Sequence, residues 1–180
     1  AAYSSGNPAL GVGPGNGPSY IEKTADIPKA VSRIMASKTF DNGTICASEQ
    51  SIVTEQSITA EVVAELKKQG GYFMTEGQSE QLSGFLLRAN GTMNPKIVGK
   101  TAKEIPHMAG INIPEGTKLL ISRQDPANVN KKNPYAREKL CPILAYFVVE
   151  GWQEACDLCI RILQNEGAGH TMTLHTNNKE

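Results

Sequence analysis

Residues 142–164, PILAYFVVEGWQEACDLCIRILQ, decide how this chain is read. Ile143 to Val149 is its longest apolar run, and a run of that length bounded by turn signals predicts a buried strand, Pro142 to Val149. Glu150-Gly151 interrupts it. Trp152 to Gln164 then sets Ala155, Cys159 and Ile162 at helical spacing, which predicts an amphipathic helix. Thr171 to His175 reads as a final strand. Strand, helix, strand in that order is the unit from which parallel sheets are built.

The alternation continues toward the N-terminus. Lys118 to Ser122 and Ser51 to Thr54 read as strands, and Lys96 to Gly99 as a short one. Glu76 to Ala89 and Thr101 to Ala109 read as helices, and Gln124 to Tyr135 as a polar loop rich in Asn and Pro. Ser57 can cap a helix with Val62, Val63 and Leu66 on one face, ended by Gly70-Gly71. Asp26 caps another, with Pro28 in its first turn and Ala30, Val31, Ile34 and Met35 recurring to about Lys38. Pro8 to Val12 is short and apolar and reads as a strand entering a loop. The prediction is an α/β fold in three layers, a mostly parallel sheet with helices on both faces. With no internal repeat, residues 1–180 are expected to form a single domain.

Composition narrows the class. A hydrophobic content of 39% with Lys+Arg equal to Asp+Glu at 18 each excludes intrinsic disorder. The zero formal charge argues against a nucleic-acid partner. No stretch approaches the roughly 20 apolar residues of a membrane span. The four cysteines, Cys46, Cys141, Cys156 and Cys159, are too sparse for a disulfide scaffold and read as free thiols of a cytoplasmic protein. The chain opens on AAYSSGNPALGVGPGNG, without Met or a targeting pattern, and ends on HTNNKE directly after a strand. A piece of a longer protein is expected.

Two features invite chemistry. Gly11, Gly13, Gly15 and Gly17 crowd one loop, but the third position of a dinucleotide fingerprint is Asn16 here, and no helix follows. A tight turn lining a cleft fits better than a pyrophosphate site. Cys46 leaves a turn at Asn42-Gly43 among small or polar neighbours. A nucleophilic thiol needs access, and backbone N–H groups near a turn can both activate it and stabilise an oxyanion. An arbitrary cysteine is more often a small buried packing residue.

The stretch Phe40-Asp-Asn-Gly-Thr-Ile-Cys46-Ala-Ser-Glu-Gln-Ser51 resembles the nucleophile signature of the CoA-acylating aldehyde dehydrogenases. That group includes acetaldehyde and propionaldehyde dehydrogenases and the aldehyde half of bifunctional aldehyde–alcohol dehydrogenases. Tyr3-Ser-Ser-Gly6, Gly11-Val-Gly-Pro-Gly-Asn16, Ser37-Lys-Thr-Phe40, Glu138-Lys-Leu-Cys-Pro142 and Gly169-His-Thr171 resemble the same group, in family order. The resemblance implies that Cys46 is the catalytic thiol and forms a thiohemiacetal with a short-chain aldehyde. Hydride then leaves to NAD, and a thioester on the sulfur passes to coenzyme A. It implies further that Glu138 holds the nicotinamide ribose, that Leu140 packs beside the nicotinamide, that Gly13 belongs to the cofactor-binding loop, and that His170 handles a proton near the thiol. The family's oxyanion-hole Asn, its cofactor domain and its oligomerisation arm lie outside this segment. The isolated chain is therefore expected to turn over little. The parent would be a homo-oligomer, in the cytoplasm or inside a bacterial microcompartment.

One departure carries mechanism. Hydrolytic aldehyde dehydrogenases begin the glycine loop with a Glu that activates water; the corresponding position resembles Gly11. Without that base the thioester is left for another nucleophile. Two further readings stay open from sequence: a hydrolytic enzyme with a relocated base, and a non-catalytic scaffold or oligomerisation piece. Cys156-x-x-Cys159 with His170 and His175 approximates a zinc-finger spacing. A finger places its cysteines on a hairpin and its histidines on a helix, the reverse of this pattern, so no metal is expected.

Overall fold

The apolar run forms β5 (Ile143–Val149) inside a sheet, and its residues divide between two cores. Ile143, Ala145, Phe147 and Val149 enter one hydrophobic cluster, while Leu144 and Tyr146 enter the other. A strand clothed on both faces has no use for alternation with polar residues, which is why the run is continuous. The computed structural model describes residues 3–11 and 13–179.

The remaining elements follow in chain order: β1 (Pro18–Ile21), α1 (Ile27–Thr39), β2 (Ser51–Glu55), α2 (Thr59–Lys68), β3 (Gly71–Phe73), α3 (Glu76–Leu86), α4 (Glu104–Met108) and β4 (Leu119–Arg123). After β5 come α5 (Trp152–Glu166) and β6 (Thr173–His175). The six strands lie in the order β3-β4-β5-β2-β1-β6, and every pairing is parallel. Ile34 of α1 and Leu66 of α2 are buried against one face with Ile52 and Ile121. Leu82 of α3, Ile105 of α4 and Leu158 of α5 are buried on the other with Val53 and Leu120. The expected three-layer α/β architecture is present. No helix among the described residues is long and apolar enough to cross a membrane.

Local chemistry explains the boundaries. Asp26 accepts from the Lys29 N–H at 3.0 Å and starts α1. Thr75 and Gln78 close a reciprocal capping box at the start of α3. α3 stops at Leu86 rather than Ala89, because Leu87 turns extended and bridges Met93.

Four expectations need correction. Residues 8–11 form no strand, and Leu10 is exposed; Val12 lies outside the described residues. The first strand is Pro18–Ile21, where proline at the strand's first residue needs no ladder N–H. Lys96 to Gly99 is not a strand. Pro95–Ile97 is a short 3-10 turn, capped by Asn94 accepting from the Lys96 N–H. Ser57 caps nothing: α2 starts two residues later behind another 3-10 turn, Gln56–Ile58. Gly71, taken as part of a helix stop, opens β3, where a Cβ would lie 2.9 Å from the Leu66 carbonyl oxygen.

Candidate active site

Parallel strands that neighbour one another receive their incoming segments at the same edge of the sheet. β5, β2, β1 and β6 are consecutive neighbours. Leu140 and Glu138 lie just upstream of β5, Cys46 upstream of β2, Gly13 upstream of β1 and His170 upstream of β6. Topology therefore gathers all five candidates at the amino edge.

The Cys46 turn is built from left-handed backbone. Asp41 (φ 47), Asn42 (φ 51) and Gly43 (φ 72) follow one another directly after α1. Asp and Asn are among the few residue types with a Cβ that accept this conformation, since their short polar side chains bond locally. The Asp41 carboxylate accepts from the Thr44 hydroxyl at 2.6 Å, and the Asn42 amide donates to the Gly99 carbonyl at 3.0 Å. The reversal leaves the Cys46 thiol exposed, with the exposed side chains of Phe40 and Ile45 near it in sequence. Cys141 and Cys159 are buried instead, and burial pushes their thiols up to about 11 and about 12. Of the four sulfurs, only Cys46 and Cys156 are open to a reagent.

The glycine loop lies between two other candidates. The Gly15 N–H donates to Glu138 Oε1 at 2.9 Å, and any Cβ on Gly15 would run into the His170 ring. The loop and the His170 ring approach so closely that a side chain at Gly15 would displace the ring. Glu138 is half-buried and held above the ordinary carboxylate range by burial. The Gly15 N–H and the charges of His170 and Lys38 pull it down, and Glu166 pushes it up. His170 Nδ1 accepts from the Thr171 N–H at 2.8 Å, which assigns the ring proton of the neutral form to Nε2. Leu140 is half-buried, and its carbonyl accepts from the Gly99 N–H at 3.1 Å. Gly99 thus links the Cys46 turn, through Asn42, to the segment carrying Glu138 and Leu140. Gly13 stands apart, exposed and with open space where a side chain would go. No hydrogen bond joins His170 to the Cys46 turn among the described residues.

Three residues that sequence reasoning left without a role fix these loops beneath the surface. Gln50 is fully buried. Its N–H donates to the Gly17 carbonyl at 2.8 Å, and its side-chain oxygen accepts from the Lys139 N–H at 2.8 Å. The Lys38 ammonium, also fully buried, donates to Gln50 Oε1 at 3.2 Å and to the Lys139 carbonyl at 2.9 Å. Lys139 points its own ammonium to the Tyr135 and Arg137 carbonyls. Burial pushes both lysines below their ordinary value, and the Lys38 charge pushes Lys139 further. A signal for Lys38 was present in the sequence, since it continues the spacing of Val31, Ile34 and Met35 and so falls on the core face of α1. Gln50 carried no such signal.

A polar cleft of about 930 Å³ lies elsewhere, between Glu76, Ser79, Arg123, Asp125 and Tyr135 near the carboxyl ends of β3 and β4. None of the candidates lines it. Cys156 and Cys159 sit on α5, one exposed and one buried, and no metal-holding group of His, Cys, Asp and Glu occurs among the described residues.

The model of the aldehyde dehydrogenase family matches residues 7–137. The bifunctional aldehyde-alcohol dehydrogenase of Escherichia coli K12 is 42% identical over 176 residues, 98% of this chain and 19% of that protein. The acetylating succinate-semialdehyde dehydrogenase of Clostridium kluyveri is 36% identical over 180 residues, 100% of this chain and 39% of that protein. A probable aldehyde dehydrogenase from Listeria monocytogenes EGD-e superposes with a TM-score of 0.92 at 54% identity, covering 98% of this chain and 39% of its own. An acetylating aldehyde dehydrogenase from Geobacillus thermoglucosidasius gives 0.91 at 49%, over 99% and 39%. A Rhodopseudomonas palustris propionaldehyde dehydrogenase, solved with bound CoA and an acylated cysteine, gives 0.82 at 30%, over 98% and 39%. The chain spans less than half of each of these relatives.

Proposed function

The chain belongs to the aldehyde dehydrogenase family, and on that premise we propose that it carries the thiol-bearing part of an NAD-dependent, CoA-acylating aldehyde dehydrogenase. The observation that carries the reading is the exposed Cys46 thiol on a left-handed turn tied through Asn42 and Gly99 to the Glu138–Leu140 segment.

Cys46 Sγ attacks the aldehyde carbon, and a carbon–sulfur bond forms as the carbonyl oxygen becomes an oxyanion. The Cys46 backbone N–H stabilises that oxygen. NAD, when bound, supplies a hydride acceptor; Glu138 would hold its ribose and Leu140 would flank its nicotinamide. The fit is chemical: Glu138 Oε1 is engaged by the Gly15 N–H, and the second carboxylate oxygen remains an acceptor for a hydroxyl. The resulting thioester on Cys46 is then attacked by the sulfur of CoA. The bond to Cys46 breaks, acyl-CoA leaves, and the Cys46 thiol is restored.

Gly11 supports CoA over water as the second nucleophile. Its position lacks a carboxylate, its N–H donates to the Tyr3 hydroxyl at 2.5 Å, and a Cβ there would run into the Tyr3 ring. By this reading residues 1–180 are one catalytic-domain portion. The cofactor domain and the surfaces that assemble a homo-oligomer come from elsewhere in the parent, and His170 serves as a proton handler.

The test is product analysis on the full-length parent given a short aldehyde, NAD and CoA. Acyl-CoA and NADH in equal amounts, both lost in Cys46→Ala, is the expected result. Carboxylate formed without CoA, or activity surviving Cys46→Ala, would refute the assignment.

A further inference from the structure

Lys139 separates the two residues read as nicotinamide contacts, and both of its backbone polar groups are held from below by the segments that flank Cys46. Its N–H donates to Gln50 Oε1, four residues after the thiol, and its carbonyl accepts from the Lys38 ammonium in the last turn of the helix before the thiol. Lys38 spends its three donors on Lys139 O, Gln50 Oε1 and, at 3.5 Å, Ser48 Oγ. All three acceptors are neutral. No carboxylate lies within ion-pair distance of this buried ammonium among the described residues. A charge removed from water without a counter-ion is retained at a cost, and its hydrogen bonds to neutral oxygens are the charge-assisted, directional kind. The same Gln50 donates its N–H to Gly17 and accepts at its carbonyl from Ala145 N–H at 3.2 Å, so the glycine loop and β5 are set at the same point.

We propose that the Lys38 ammonium and the Gln50 carboxamide form a buried clamp that positions the Cys46 turn against the Glu138–Leu140 segment. They are positioning residues: neither is exposed to substrate, and they act through the peptide groups they hold. The proposal rests on the reading of Cys46 as the nucleophile, so its test separates the two.

The test uses the full-length parent, where the rest of the proposed site is present, and two reagents, with modification followed at each cysteine by peptide mass mapping. Iodoacetamide needs only an accessible thiolate, whereas acylation by p-nitrophenyl acetate needs the same thiolate and also an oxyanion held in place. Exposed Cys156 on α5 is the internal reference. In Lys38→Met the ratio of acylation to alkylation at Cys46 is expected to fall by roughly tenfold, as misplaced oxyanion geometry does, with Cys156 unchanged. Gln50→Glu keeps an oxygen acceptor for both Lys38 and the Lys139 N–H and should retain the wild-type ratio. Hydrogen exchange reads the clamp directly: the Lys139 amide should lose protection in Lys38→Met while Phe147 in β5 keeps it. An unchanged ratio, or equal loss of protection at Lys139 and Phe147, overturns the proposal and leaves Lys38 a fold-stabilising group. If Lys38→Met does not fold, Lys38→Arg replaces it with the same expectations, since a planar guanidinium cannot reproduce the three-way geometry. If wild-type Cys46 acylates no faster than Cys156, the nucleophile assignment falls, and the exchange measurement still decides the clamp.

Discussion

Gly43→Ala is the sharpest perturbation of the thiol turn. Gly43 has φ +72, and a Cβ built there would lie 2.8 Å from the Cys141 carbonyl oxygen, 2.9 Å from its carbon and 3.0 Å from the Lys38 carbonyl oxygen. These are backbone atoms, so no side-chain rotation relieves the contact. The left-handed backbone costs a residue with a Cβ about 1 kcal/mol. Forcing an extra methyl into a fixed site adds roughly 1–3 kcal/mol. Together they give a loss of about 2–4 kcal/mol. Gly91 isolates the first contribution, because its φ is +76 and nothing lies within 4 Å of a Cβ there. Gly84, inside α3 with open space around it, reverses the sign: alanine there should stabilise by roughly 0.5–1 kcal/mol. Urea unfolding under reducing conditions ranks the variants by midpoint, provided the slopes agree. The expected order of stability is Gly84→Ala, wild type, Gly91→Ala, Gly43→Ala. If Gly43→Ala unfolds at the same urea concentration as Gly91→Ala, the Cys141 carbonyl is not packed beneath the turn and the reasoning fails.

Two more perturbations probe the buried charges. Lys38, at about 8 when folded against an ordinary 10.5, binds its proton less tightly in the native chain, as does Lys139. Between those values the unfolded chain carries more protons, so stability rises with pH. Cys141, raised from 9.0 to about 11, acts oppositely once the unfolded thiol ionises. The urea midpoint should therefore climb from about pH 7 to about pH 9, and climb less steeply above that as Cys141 and Cys159 oppose the two lysines; a steady fall from about pH 7 to about pH 9 would contradict it. Arg137→Met should cost roughly 3–5 kcal/mol, because it strips the partner from Glu166, whose side chain is only 5% exposed. Adding Glu166→Leu should recover much of that loss in the same unfolding assay, and an Arg137→Met variant as stable as wild type would show the pair to be idle.

A continuous apolar run is the plainest signal of a buried strand. β5 announced itself because all seven of its residues are hydrophobic and two cores share them. β2 is legible to within one residue although Ser51, Thr54 and Glu55 stand in it, while β1, no less buried, opens on Pro18-Ser19 and is missed. Their polar groups are met inside the sheet, as when Tyr20 donates to Glu55 at 2.7 Å and Thr173 to Ser19 at 2.8 Å. Hydropathy cannot foresee such pairing, so β1 was displaced onto the apolar but exposed residues before it. β3 is three residues long and hidden behind Gly70-Gly71. The site divides the same way. Cys46, Glu138 and His170 are candidates named from a resemblance carried by local motifs, whereas Gln50 and Lys139 meet each other across 89 residues of sequence, which no local motif reveals.

The location of the site changes what must surround the thiol. Ligands of open parallel sheets usually gather at the carboxyl ends of the strands, where following helices present their N-terminal, electropositive ends. The Cys46 turn lies at the opposite edge and follows the C-terminus of α1, so that helix contributes carbonyl oxygens and the negative end of its dipole. Glu138 adds a carboxylate at the same edge. An edge of that polarity disfavours both a thiolate and an oxyanion unless cations are built in. Lys38 supplies one from the last turn of α1 itself, and Lys139 adds a second from the segment opposite while it is protonated, each directed at carbonyl oxygens rather than at solvent. Their burial follows from this. An exposed lysine would be screened by water and counter-ions, whereas a buried ammonium is screened much less and offsets the partial negative charge of the carbonyls it contacts.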